Sequence, residues 1–116
     1  MSSFVTTSHG ADFFGEDRHL VASLASLADY ARSCLAADER DQLVQLLTGP
    51  ATAEVGTEQT IPAADAGRLA IQLRRVARNR YLRSKRLAAS AALLADAAAR
   101  AAADGEPWHW RTEATA

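Results

Sequence analysis

The apolar positions of this chain fall into four helical stripes and three short extended runs. Leu20, Leu24, Leu27 and Ala31 recur at spacings of four, three and four, which line one face of an α-helix. Val21, Ala28 and Leu35 broaden the stripe, and together they predict a first helix from about Asp17 to Leu35. Asp38 restarts a helix as its N-cap, with Asp41 three residues on, close to a capping box. Leu43, Leu46 and Leu47 are its inner face, and Gly49-Pro50 is expected to stop it. A third helix begins near Ala63, with Asp65 or Thr60 as cap and Leu69, Leu73, Val76 and Ala77 inside. Leu87, Ala91, Leu94 and Ala98 make the last stripe, ended by Gly105.

Between Ala63 and Asp104 there is no proline, and Gly67 alone discourages helix. One unbroken helix of that length would reach about 60 Å, against a radius of gyration of about 13 Å for a domain this size. A break is therefore expected between Arg78 and Ser84, where Asn79 and Ser84 are the weakest helix formers. Ser84 would cap the final helix.

The extended runs are residues 3–8 (SFVTTS), Gln59-Thr60-Ile61 and the tail around Trp108 and Trp110. The two Trp lie two apart, on one face of a strand, and are expected to close the core as an edge strand beside Phe4 and Val5. Phe13 and Phe14 precede the first helix, and at least one should anchor the core. These elements predict an α+β fold of about four helices with a minimal two- or three-stranded sheet, residues 1–116 forming a single small helical domain. An all-α bundle is the alternative.

Composition narrows the function classes. The 48% hydrophobic content is inflated by alanine, so each helix buries little area. Cys34 is the single cysteine and has no internal disulfide partner, which fits a reducing cytoplasm. It reads as a small hydrophobe rather than a reactive thiol. Met1–Gly10 has no basic residue and no long apolar run, unlike a signal peptide. The Ala-rich stretch Leu87–Ala103 is interrupted by Asp96 and Arg100, so no membrane span is expected. Cytoplasmic localisation follows as the expectation.

Charge is strongly segregated. Residues 1–65 sum to −7, residues 66–95 to +8 and residues 96–116 to −2. The eight bases are Arg68, Arg74, Arg75, Arg78, Arg80, Arg83, Lys85 and Arg86, in a run with no acid. On a helical wheel most gather opposite the apolar stripe, although Ile71 and Leu82 fall among them and Arg80 falls on the apolar side. The bland reading is a solvated face, or one paired with Asp29, Asp38, Glu39 and Asp41, which stabilises little. Twelve Arg to one Lys also resembles high-GC codon usage. The functional reading is nucleic acid, because Arg forks suit phosphate oxygens and each contact releases a counterion. Arg68, Arg74, Arg75, Arg78, Arg83, Lys85 and Arg86 are its candidate contacts, and Tyr81 among them can stack or pack. A ten-residue loop precedes this helix, so no helix-turn-helix is recognisable.

Catalytic and metal chemistry find no motif. His9, Asp12 and His19 are near in sequence, but their spacing matches no ligand pattern. Ser8-His9-Gly10 lacks a nucleophile elbow, and there is no phosphate-cradling glycine loop. Asp12, Glu16 and Asp17 suit a helix N-terminus, where the dipole favours acids. The sequence thus predicts a non-enzymatic protein without cofactor or metal.

Residues 5–15 (VTTSHGADFFG) and 105–110 (GEPWHW) resemble the two ends of a group of small uncharacterised actinobacterial proteins, a domain of unknown function. The resemblance implies a bacterial cytoplasmic setting and carries no activity and no catalytic residue. The functional expectation is a binding or interaction protein with residues 68–86 as its contact surface and nucleic acid as the named partner. The rival is a protein–protein or homo-oligomeric module, contacting an acidic protein surface or a second copy. It would act through the basic helix, through the small side chains of Ala91, Ala95 and Ala98, or through Trp108 and Trp110 as exposed anchors.

Overall fold

The structure is a computed structural model and describes residues 3–9 and 17–114. Its elements are β1 (Ser3–His9), β2 (Asp17–Leu20), α1 (Val21–Cys34), α2 (Asp41–Thr52), β3 (Glu58–Ile61), α3 (Ala63–Ala77), α4 (Lys85–Asp104) and β4 (Trp108–Ala114). The fold is α+β. The four strands form one antiparallel sheet in the order β2-β1-β4-β3, one strand more than the largest sheet expected. The radius of gyration is 13.0 Å, as the broken α3–α4 segment requires.

The fourth strand comes from residues 17–20, which the periodicity assigns to the first helix. They pair with β1, with Val5 opposite His19 and Thr6 opposite Arg18. His19 turns inward, while Arg18 and Leu20 are exposed. A strand of four residues is too short to outweigh the helical spacing that Leu20 shares with Leu24. Leu20 is the N-cap of α1 and makes no side-chain cap bond, so no capping signal marks the change.

β4 is a central strand rather than an edge. It pairs with β1 from Ser3 opposite Ala114 to His9 opposite Trp108, and with β3 from Glu58 opposite Arg111 to Ile61 opposite Trp108. Its alternate residues Trp108, Trp110 and Thr112 are buried. The two indoles meet edge-to-face, 5.2 Å apart at 82°, the favoured arrangement for an aromatic pair. At 0% and 3% exposure they close the core and offer no surface to a partner. Phe4 is not beside them: its register with Glu113 puts it on the other sheet face, under the Arg18 guanidinium at 5.2 Å. Phe13, Phe14 and Asp12 lie outside the described residues.

α4 and α1 are the helices that rest on the sheet, while α3 packs on α4 and α2 on α1. Close approach of α4 is possible because its inner face is mostly alanine. Ala91, Ala95 and Ala98 are fully buried there, so these three serve packing within the chain. Gly105, at φ +66°, ends α4 in the left-handed region. Glu106 N–H bonds Ala101 O at 2.9 Å and Gly105 N–H bonds Ala102 O at 3.2 Å, the Schellman pattern that satisfies the last carbonyls.

α2 differs from expectation at both ends. Residues 36–40 form a turn, with Glu39 N–H and Arg40 N–H both on Ala36 O, so Asp38 is not the cap. Pro50 sits inside the last turn and is buried. A proline there loses one bond of the ladder, and Ala53 N–H on Gly49 O at 3.1 Å carries the helix past it. At α3 neither Thr60 nor Asp65 is the cap: Pro62 holds that position without a side-chain bond.

Candidate functional site

The basic run divides at the end of α3. On the helix itself, each arginine has an acidic neighbour. Arg68 donates to Asp65 at 2.7 Å and to Gln42 Oε1 at 3.0 Å. Arg74 lies 3.6 Å from Asp96 on α4, and Arg75 lies 3.5 Å from Glu39. Such exposed pairs contribute little stability, but they balance the charge of α3 locally. Of the four acids expected to pair with this face, Glu39 does so, while Asp29 pairs with Arg32 instead.

Beyond Ala77 the chain leaves the helix, and a wheel no longer describes it. Leu82 N–H bonds Asn79 O at 2.9 Å, and Tyr81 N–H bonds Asn79 Oδ1 at 3.0 Å, an Asx-type turn. Leu82 is buried and pins the turn to the core. Ser84 then caps α4, its Oγ accepting from Leu87 N–H at 3.2 Å. This fixed bend presents Arg78, Arg80, Arg83, Lys85 and Arg86, all exposed. Among the described residues none of the five has a carboxylate within ion-pair distance. Arg80 instead covers Tyr81: its guanidinium lies 4.9 Å from the ring centre and donates to the hydroxyl at 2.8 Å.

Helix polarity sharpens the contrast. Arg74 and Arg75 stand in the last turn of α3, where cations are favoured. Lys85 and Arg86 open α4, whose first turn holds no acid. Cations there oppose the dipole, at about 0.3–1 kcal/mol each when exposed. Unsatisfied N–H groups of the first turn point the same way, so the bend sums side-chain and backbone positive potential in one place.

Other titratable groups sit apart from this surface. His19 is buried against Ser90, and burial lowers its pKa to about 4. Burial raises the Cys34 thiol above its ordinary value, against smaller lowering by Asn79 and Arg75, so it stays a protonated thiol. His109 is exposed, with Nδ1 3.3 Å from Thr60 Oγ1. The His9 side chain is outside the described residues. Among those described, no group of three His, Cys, Asp or Glu is placed to hold a metal ion, and no helix is long and apolar enough to cross a membrane.

A cleft of about 520 Å³ lies between α2 and α3, lined by Asp38, Glu39, Asp41, Arg68, Ile71 and Arg75 among others. Ile71 is 59% exposed in it. Its place on the basic side of the wheel is the sequence signal for this cleft.

A family model described as Domain of unknown function (DUF7739) matches residues 10–111. The chain belongs to this family. The matched span takes in β2, the four helices, the α3–α4 bend, β3 and both buried Trp residues. Comparison with curated proteins gives no match, and neither does comparison with solved structures.

Proposed function

We propose that this protein is a non-enzymatic nucleic-acid-binding protein whose contact surface is the α3–α4 bend. The observation that carries the reading is the set of five exposed cations from Arg78 to Arg86 without carboxylate partners among the described residues. Two of them stand at a helix N-terminus that they destabilise. A face selected for stability alone would place acids there. Arg78, Arg83, Lys85 and Arg86 make the phosphate contacts, and Arg68, Arg74 and Arg75, already paired, contribute less. The setting is the cytoplasm of an actinobacterium, for which the lone Cys34 and the arginine-rich composition are the support.

Two triple variants of equal charge test this. Arg83→Ala/Lys85→Ala/Arg86→Ala should weaken binding to a labelled DNA and flatten log Kd against log salt by about 2–3, near one counterion per lost contact. Arg68→Ala/Arg74→Ala/Arg75→Ala should change that slope by less than about 1. Equal effects from both, or no binding to single strand or duplex at low salt, would remove the reading.

A protein–protein or homo-oligomeric role is the second reading, and exposed Ile71 between Arg68 and Arg75 favours it. Sedimentation across the micromolar range tests self-association: a concentration-dependent dimer abolished by Ile71→Glu supports it, and a monomer throughout removes it.

A further inference from the structure

The bend carries more than charge. Single strands and duplexes both offer phosphates to cations, so Arg78, Arg83, Lys85 and Arg86 by themselves give no preference for a single strand. Tyr81 does. It is 64% exposed in the middle of the cationic turn, a position where packing against the core does not account for an aromatic ring.

Its mobility is restricted from three directions. Asn79 Oδ1 holds its backbone N–H, buried Leu82 anchors the next residue, and Arg80 lies over the ring while donating to its hydroxyl. A ring already ordered loses little entropy when a planar partner settles on its remaining surface. The cation on the ring completes an Arg–Tyr stack of the kind that unpaired bases prolong. In a duplex both faces of every base are covered by neighbours, and a groove admits a rod or ribbon. Here the cations stand on a short bend between two helix ends rather than along a rod, because α3 stops at Ala77 and α4 starts at Lys85.

We infer that the α3–α4 bend binds single-stranded nucleic acid, with an unpaired base stacked on Tyr81 and the flanking phosphates held by Arg78, Arg83, Lys85 and Arg86. This rests on the nucleic-acid reading above and adds to it a strand preference and a base-contacting residue. The footprint is small, a few nucleotides, since four cations on one bend reach few phosphates.

The test is fluorescence anisotropy on the full chain at low salt. The probes are a labelled oligothymidine of about twelve nucleotides and a mixed-sequence duplex of about the same length, within the usual range of single-strand sites. The single strand should bind about tenfold or more tighter than the duplex. Tyr81→Ala should weaken single-strand binding by about 5- to 150-fold, the range for losing one base–aromatic stack. It should leave duplex binding and the salt slope unchanged. Tyr81→Phe should keep most of the affinity, because stacking needs the ring and the variant loses only the Arg80 contact to the hydroxyl. Melting of Tyr81→Ala near the parent temperature checks that the exposed site is not needed for folding. Equal affinity for both probes, or indifference to Tyr81→Ala, overturns the single-strand inference while the nucleic-acid reading stands. A loss in Tyr81→Phe equal to that in Tyr81→Ala also overturns it, because the hydroxyl would then be the contact. Binding to neither probe overturns both.

Discussion

Acidification is expected to weaken this fold through one buried imidazole. His19 is 3% exposed on β2, its Nδ1 is 2.6 Å from Ser90 Oγ on α4, and its Nε2 has no hydrogen-bond partner among the described residues. An imidazolium carries a proton on both nitrogens, so charging the ring would bury an unpaired N–H together with the charge. Burial accordingly lowers its pKa from 6.5 to about 4. The unfolded chain therefore binds a proton between about pH 6.5 and about pH 4 that the folded protein refuses. Stability is full above the unfolded pKa, falls as pH drops through that window, and levels off below the folded pKa. Over about 2.5 pH units, at 1.36 kcal/mol each, the loss is about 3 kcal/mol. Urea melts of the parent and of His19→Leu, taken from about pH 7 to about pH 4, isolate it, since the other titrating groups cancel in the difference. The gap between them should shift by about 3 kcal/mol in favour of the variant as pH falls. Parallel stability curves would refute the reasoning and mean that the ring is charged, or reached by water, in the fold.

Two further perturbations probe the core and the bend. Trp108→Ala removes a fully buried ring and its edge-to-face partner contact, and should cost about 3–5 kcal/mol in urea melts; a loss under about 1 kcal/mol would contradict its burial. Lys85→Glu places an acid in the first turn of α4 and should raise stability by about 0.3–1 kcal/mol while weakening DNA binding. A variant that is more stable and binds as tightly would show that Lys85 is not a contact.

What the sequence made legible followed local chemistry. The Ser84 cap and the Gly105 stop each rest on one residue's own preference, the break between α3 and α4 rests on helix length and the weak helix formers Asn79 and Ser84, and each stands where it was expected. Misreadings arose where pairing with another strand decides. Asp17–Leu20 is a strand because β1 lies beside it, and β4 is central because β3 covers its far side. The basic run was visible as composition, but its division was not. Arg74 meets Asp96 across α3 and α4, and Arg75 meets Glu39 across α3 and the turn before α2. No periodicity encodes those contacts. Ile71 among the arginines was the one local hint of the cleft. Tyr81 was ambiguous between packing and stacking until Leu82 proved to be the buried anchor.

The middle of the sheet is also the last described element to be synthesised. Until β4 has left the ribosome, β1 and β3 each lack the strand that joins them, and the helices have no Trp pair to close on. The β1–β2 pairing and the α3–α4 packing are local and can form early. The Ser3–Ala114 and Val5–Thr112 pairings join the two ends of the described chain and must wait. Topology of this kind slows folding, and it leaves unpaired strand edges on the nascent chain. Chaperone dependence should therefore fall mainly between emergence of β3 and emergence of β4, when aggregation competes most directly with completion of the sheet.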